Sequence, residues 1–334
     1  MNRPLLLRLL TAAVMTLTCG AAAAAPVELT LYNGQHKQTG LALVDAFEKA
    51  TGIKVEIRQG SSNQLANQII AEGSHSPADV FYAEESTPLA ALAEHGLLAP
   101  LDASTLSQIP KEYANTAGDW IGVTARTRVA AFNPALIAEK DLPQSVLDFQ
   151  KPEWQGKIAI VPTSGAFQEQ IVAIEHTNGR DAAKAWLVGL KSNAKIYNNN
   201  VAALKAVDRG EVAIALIHNY YWYGLAKEEG ENNVKAKLHY FSHGDPGALV
   251  TVSGVGMLKS SPHQALAQKF VAFMVSEAGQ KAAVDAVAEY PLRPGIQSPF
   301  ALKPFDQIEP PKVTPADLGS AHDALVLERE AGLN

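Results

Sequence analysis

Hydrophobic and polar positions along this chain change period again and again. "VELTLY", residues 27–32, alternates with period two, the mark of a strand with one buried face. After the turn "NGQH", residues 37–50 place apolar side chains at helical spacing, and Gly52 stops that helix. "IKVEIR" is the next strand. It is followed by a helix over 62–72 with Gly73 as its stop, the strand "ADVFY" at 78–82 and a helix over 88–95. Strands alternating with helices predict parallel strands covered by helices.

A second series begins after Trp154. "GKIAIVP" is a strand, and "TSGAFQEQIVAI" a helix capped by Thr163 or Ser164. "RDAAKAWLVGLKS" is helical, "AKIYN" a short strand, and "VAALKAVDRG" a helix with a glycine stop. The strand "EVAIALIH" leads to Asn219, predicted to cap a helix running to Gly230. "DPGALVTVSGVGML", residues 245–258, reads as a pair of crossing strands, and "HQALAQKFVAFMVSEAGQKAAV" as helices. Beyond the break "EPPKVTP" a last amphipathic helix is predicted near 316–330. The whole pattern predicts an α/β protein of two units whose chain crosses between them more than once.

Composition adds a destination. With 334 residues, 47% hydrophobic and 19% charged, the chain can build one large domain or two lobes. Residues 1–25 have the pattern of a cleavable secretory signal: Arg3 and Arg8, an apolar run over 9–17, and small residues over 21–25, with the cut favoured after Ala24. The only cysteine, Cys19, lies inside that signal, and "TLTC" matches a lipoprotein site poorly, so no membrane anchor is expected. The mature chain then holds no thiol and no disulfide, which excludes thiol chemistry and suits an oxidising compartment. Losing Arg3 and Arg8 takes the formal charge from −6 to −8, which argues against nucleic acid or anionic membranes as partners. No later run reaches the roughly 18 apolar residues of a membrane helix.

Ligands of parallel α/β sheets bind beyond the carboxyl ends of the strands. Past the first strand stands His36. Past "ADVFY" stand Glu84 and Glu85. Past "GKIAIVP", Ser164, Gly165 and Ala166 open a helix whose free N–H groups suit an anion. Past "EVAIALIH" come Tyr220 and Tyr221, adjacent phenols in the first turn of a helix. A phenol titrates near 10, so two phenolates at neutral pH need a strong cation. Fe(III) is hard and trivalent. Two phenolates and one carboxylate neutralise it, His36 completes four protein ligands, and two positions remain for an anion or water. Trp222 and Tyr223 read as packing residues, and no "GxSxG" elbow or "HExxH" motif points to hydrolysis.

The segments "LYNGQHK", "FEKATGIKVEI", "GSHSPADVFYAEE", "SVLDF", "IAIVPTSGAFQEQIVAI", "IHNYYW", "DPGALVT" and "AEYPLRP" are spread along nearly the whole mature chain. In this order the chain resembles the periplasmic ferric-iron-binding proteins, the bacterial transferrins that serve Fe(III) ATP-binding-cassette importers. The resemblance implies a two-lobed, type II periplasmic binding protein, a transferrin-like clamshell. Each lobe would be a mixed sheet flanked by helices, joined to the other by hinge strands. Its lobes would be 26–128 with about 253–303, and 129–252 with about 304–334.

The resemblance also implies His36, Glu84, Tyr220 and Tyr221 as metal ligands, and Ser164, Gly165, Ala166 and Asn200 around a synergistic anion such as phosphate, carbonate or citrate. Glu85 and His218 stand where the family often has glutamine and asparagine, so a different or weaker anion is expected here. The expected protein is a monomeric, non-enzymatic carrier of the Gram-negative periplasm. It would take iron from ferric chelates and hand it to an inner-membrane permease with its ATPase. The alternative on the same fold is an organic cation, such as a polyamine or thiamine, or a phosphonate.

Overall fold

The computed structural model describes residues 28–333. The predicted signal over residues 1–25 lies outside the described residues. The first half of the chain runs β1 (Glu28–Asn33), α1 (Lys37–Thr51), β2 (Lys54–Gln59), α2 (Ser62–Glu72), β3 (Val80–Ala83), α3 (Ser86–Glu94), β4 (Leu98–Ala99), α4 (Ala103–Leu106) and β5 (Trp120–Phe132). It continues through β6 (Ile158–Ile160), α5 (Gly165–Asn178), α6 (Arg180–Asn193), β7 (Ala194–Ile196), α7 (Asn200–Asp208), β8 (Ile214–His218), α8 (Tyr220–Glu229) and β9 (Lys237–His239). The last part holds β10 (Val250–Leu258), α9 (Gln264–Met274), α10 (Glu277–Ala286), β11 (Tyr290–Pro291) and α11 (His322–Ala331). None of these helices is long and apolar enough to cross a membrane.

Helix ends follow local chemistry. Gly52 takes the left-handed conformation at φ 75° and returns its N–H to Glu48, closing α1. Ser61 accepts from Gln64 N at 3.3 Å and opens α2. Helix α3 begins at Ser86, before the predicted start. Pro88 then falls in the first turn, where an N–H has no carbonyl to meet.

The strands follow the path β2-β1-β3-β10-β5-β8-β6-β7. At one end β1 pairs in parallel with β2 and β3; at the other β6 pairs in parallel with β7 and β8. Between them β10 and β5 run antiparallel, so each half is a mixed sheet rather than the purely parallel one that strand–helix alternation predicts. Strand β5 joins the halves. Its residues Trp120 to Thr127 pair with β10, and Arg128 to Phe132 pair with β8. The predicted crossing pair at 245–258 is one strand. Asp245 caps a 3-10 turn over Pro246–Ala248, where proline cannot join a ladder, and β10 follows.

Separate cores fill the two halves. Leu31, Phe47, Phe81, Trp120, Val255 and Phe270 belong to the first. In the second, strand alternation divides the sheet between two layers. Ile158 and Ile160 of β6 face Phe149 and Trp186, while Ala159 faces Leu204 and Val207. Each fully buried large apolar side chain contributes about 1.5–3 kcal/mol, so each half carries its own packing while β5 passes between them. This is the two-lobed clamshell of a type II binding protein. The last helix starts at His322 because Asp317 accepts from Thr314 N and Oγ1 (2.7 and 2.6 Å), holding the preceding residues in turns.

Candidate metal centre

The carboxyl ends of β1, β3, β6 and β8 meet between the two halves, and the residues just beyond them line one site. His36 stands at the head of α1. Glu84 and Glu85 join β3 to α3, Ser164 precedes α5, and Tyr220 and Tyr221 open α8. Asn219 does not cap α8 with its side chain. Its Oδ1 accepts from Thr127 N at 3.1 Å, and its own N–H donates to Thr127 O at 3.1 Å. These two bonds extend the β5–β8 ladder by one residue, so the tyrosine pair is placed by the strand that joins the halves.

Helix geometry would splay neighbouring side chains by about 100°, yet here the two phenol rings lie 4.3 Å apart, centroid to centroid. Across the cleft, Tyr220 OH donates to Glu84 Oε1 at 2.7 Å. His36 closes the group: its ring meets Tyr220 edge-on at 4.9 Å, and its Nε2 is 3.7 Å from Glu84 Oε1. That buried Nε2 has no hydrogen-bond partner. An orphaned buried nitrogen costs about 1–3 kcal/mol, and a ligand on it would remove that cost. Among the described residues no three His, Cys, Asp or Glu form a metal-sized cluster, so any metal held here depends on the phenols.

Electrostatics keep those phenols protonated without a cation. Burial, then Glu84 and Tyr221, push Tyr220 well above the ordinary phenol range against the pull of Arg126. Burial and then Glu84 do the same to Tyr221. Burial, followed by Glu84, raises Glu85, while Arg126 opposes. Phenol oxygens that are neutral alone and anionic around a trivalent charge are a donor set for a hard metal ion.

The residues expected around an anion lie on one side of Tyr221. A polar cavity of about 330 Å³ is lined by Glu84, Glu85, Ser164, Gly165, Asn200 and Tyr221 among others. Asn200 Nδ2 donates to both Ser164 Oγ (3.3 Å) and Tyr221 OH (3.2 Å). Ala166 is buried in the first turn of α5. His218 does not line this cavity. It is fully buried under Tyr220, with Nε2 3.1 Å from Thr251 Oγ1, and burial followed by Arg126 and Arg128 holds it well below its usual range, hence neutral. On the other side of Tyr221 a second cavity of about 430 Å³ reaches His36, Tyr223, Val287 and Phe300. Trp222 packs as expected, donating to Ala236 O at 2.7 Å.

Sequence reading missed the groups behind the site. Arg126 and Arg128 of β5 are fully buried; Arg126 donates to Glu84 O, and Arg128 to Gln170 Oε1 at 2.9 Å. Glu169 of α5 is also fully buried and accepts from Ser86 N and Oγ at 3.0 and 2.9 Å. The signal was present in "VTARTRVAAF": two arginines at alternate positions inside an apolar strand face the same side and need buried anions.

A family model of bacterial extracellular solute-binding proteins matches residues 42–305. The major ferric iron-binding protein of Neisseria meningitidis is 45% identical over 323 residues, 96% of this chain and 98% of that protein. The chain belongs to the bacterial extracellular solute-binding proteins, among the ferric-iron-binding members. Iron-bound HitA from Pseudomonas aeruginosa matches this solute-binding protein with a TM-score of 0.90 and 58% identity, over 92% of this chain and 100% of that one. A Trichodesmium protein solved with iron and citrate matches with a TM-score of 0.81 and 29% identity, over 92% and 100%. In a two-lobed solute-binding protein a ligand between the lobes must touch both, and the Tyr220–Glu84 bond already spans that gap.

Proposed function

We propose that this protein is a periplasmic carrier of Fe(III), not a catalyst. The ion would sit between His36 and Glu84 on a first lobe (26–128 with about 253–303) and Tyr220 and Tyr221 on a second (129–252 with about 304–334). An anion at the start of α5, near Ser164, Gly165, Ala166 and Asn200, completes the coordination. The observation that carries this reading is the bond of Tyr220 to the Glu84 carboxylate across the cleft, with the Tyr221 ring and an unpartnered imidazole beside it. Two phenolates and Glu84 supply three negative charges, which neutralise a trivalent ion.

Bridging both lobes, the ion favours the closed form by its differential affinity for it. The closed protein is then read by an inner-membrane permease and its ATPase, and iron reaches it from ferric chelates. Reprotonation of the phenols or loss of the anion releases the ion, since these ligands bind only when deprotonated.

Visible absorption of metal-stripped mature protein titrated with ferric citrate tests this. An iron–phenolate charge-transfer band should saturate at one iron per protein and be lost or shifted in Tyr220→Phe and Tyr221→Phe. A colourless protein that takes up no iron overturns the reading.

A further inference from the structure

We infer that the anion seat at the start of α5 is filled by the protein's own Glu85, so that the metal is taken up without a free synergistic anion. The inference rests on the ferric reading above and replaces that reading's separate anion with a side chain of the protein itself.

The carboxyl group of Glu85 lies directly on Gly165, the first residue of α5. A Cβ placed on Gly165 would stand 2.8 Å from Glu85 Cδ and 2.9 and 3.1 Å from its two oxygens. Only a residue without a side chain lets the carboxyl approach so closely. At this helix start the Ser164 side chain makes no capping bond, and its Oγ instead accepts from Asn200. The free N–H groups of this first turn are what an anion would bind, and the Glu85 carboxyl takes up the space in front of Gly165.

Glu85 is held at this place. It is 7% exposed, and it lines the same polar cavity as Glu84, Ser164, Asn200 and Tyr221. Its neighbour Ser86 is tied by N and Oγ to Glu169, one turn further along α5 from Gly165. The backbone that carries Glu85 is therefore pinned to the same helix that its carboxyl meets. Glu84 and two phenolates already match a trivalent ion, so charge neutrality calls for no free anion. A phosphate entering that seat would meet a carboxyl group already packed against the residue it needs.

The test compares wild type with Glu85→Gln and Glu85→Ala, each checked for folding by its thermal melt. Inorganic phosphate is titrated into metal-free protein by calorimetry and, separately, into ferric protein while the charge-transfer band and iron affinity against citrate are followed. Wild type should bind no phosphate, and its band and affinity should stay put. At least one variant should bind phosphate, with apparent iron affinity rising roughly tenfold at about ten times the phosphate dissociation constant. A wild type that responds to phosphate as the variants do overturns the inference, and so do variants that ignore phosphate as wild type does. If no protein takes up iron, the ferric reading falls. The calorimetric arm then decides the seat alone: phosphate binding by a variant but not by wild type supports Glu85 as its occupant, and equal behaviour refutes it.

Discussion

Iron binding should release one proton from each of Tyr220 and Tyr221, and removing either phenol should remove one proton from the count. In the free protein burial and Glu84 hold both phenols above their ordinary range, so both are neutral throughout pH 6–8. Bound to a trivalent ion they are phenolates. The sign follows: protons compete with the metal, and affinity rises with pH. Even at the ordinary phenol value near 10, ionising one phenol at pH 7 costs about 4 kcal/mol, or about 8 kcal/mol for the pair, and burial adds to that. Two protons give a slope of about two decades in iron affinity per pH unit. The assay is competition of metal-free protein against citrate between pH 6 and 8, with proton release followed in weakly buffered solution. The citrate contribution is common to every protein and cancels in differences. Tyr220→Phe and Tyr221→Phe should each lower the slope by about one decade per pH unit. Equal slopes and equal proton counts in wild type and both variants would refute the argument, because the phenols would then not be the groups that exchange protons for metal.

Two further outcomes follow from groups that the fold buries. Burial raises Glu169 from 4.5 to about 7 against the attraction of Arg126. A carboxyl raised on folding contributes stability that is full below its unfolded value and lost as pH rises through its folded one. Glu169→Gln should therefore gain about 3 kcal/mol relative to wild type between pH 4 and pH 8.5 in urea unfolding of metal-free protein; an offset that does not change with pH would show that the carboxyl is not confined there. Asn219→Ala removes the acceptor of buried Thr127 N–H. It should lower stability by about 1–3 kcal/mol and weaken iron binding through the displaced tyrosine pair. Unaltered iron affinity in a destabilised protein would separate the two effects and remove Asn219 from the positioning of the site.

Local signals carried much of this protein. The period-two and helical stretches, the glycine stops at Gly52 and Gly73, and the α2 span of Ser62–Glu72 are properties of a few consecutive residues, and short-range sterics and hydrogen bonding decide them. The candidate site was legible for a related reason. In parallel strand–helix units every strand end points to one edge, so His36, Glu84, Tyr220 and Tyr221 could be gathered without coordinates. Tertiary structure alone decided the rest. Strand β5 carries no helix of its own to mark it, and its division between two sheets follows from partners far away in the chain. Asn219 looked like a cap, but the neighbouring strand at Thr127 satisfied its side chain first. The Glu85–Gly165 and Ser86–Glu169 contacts join residues about 80 positions apart across two lobes. No local pattern encodes such distances, because the angle at which the lobes meet is set by the packing of both cores against the strands between them.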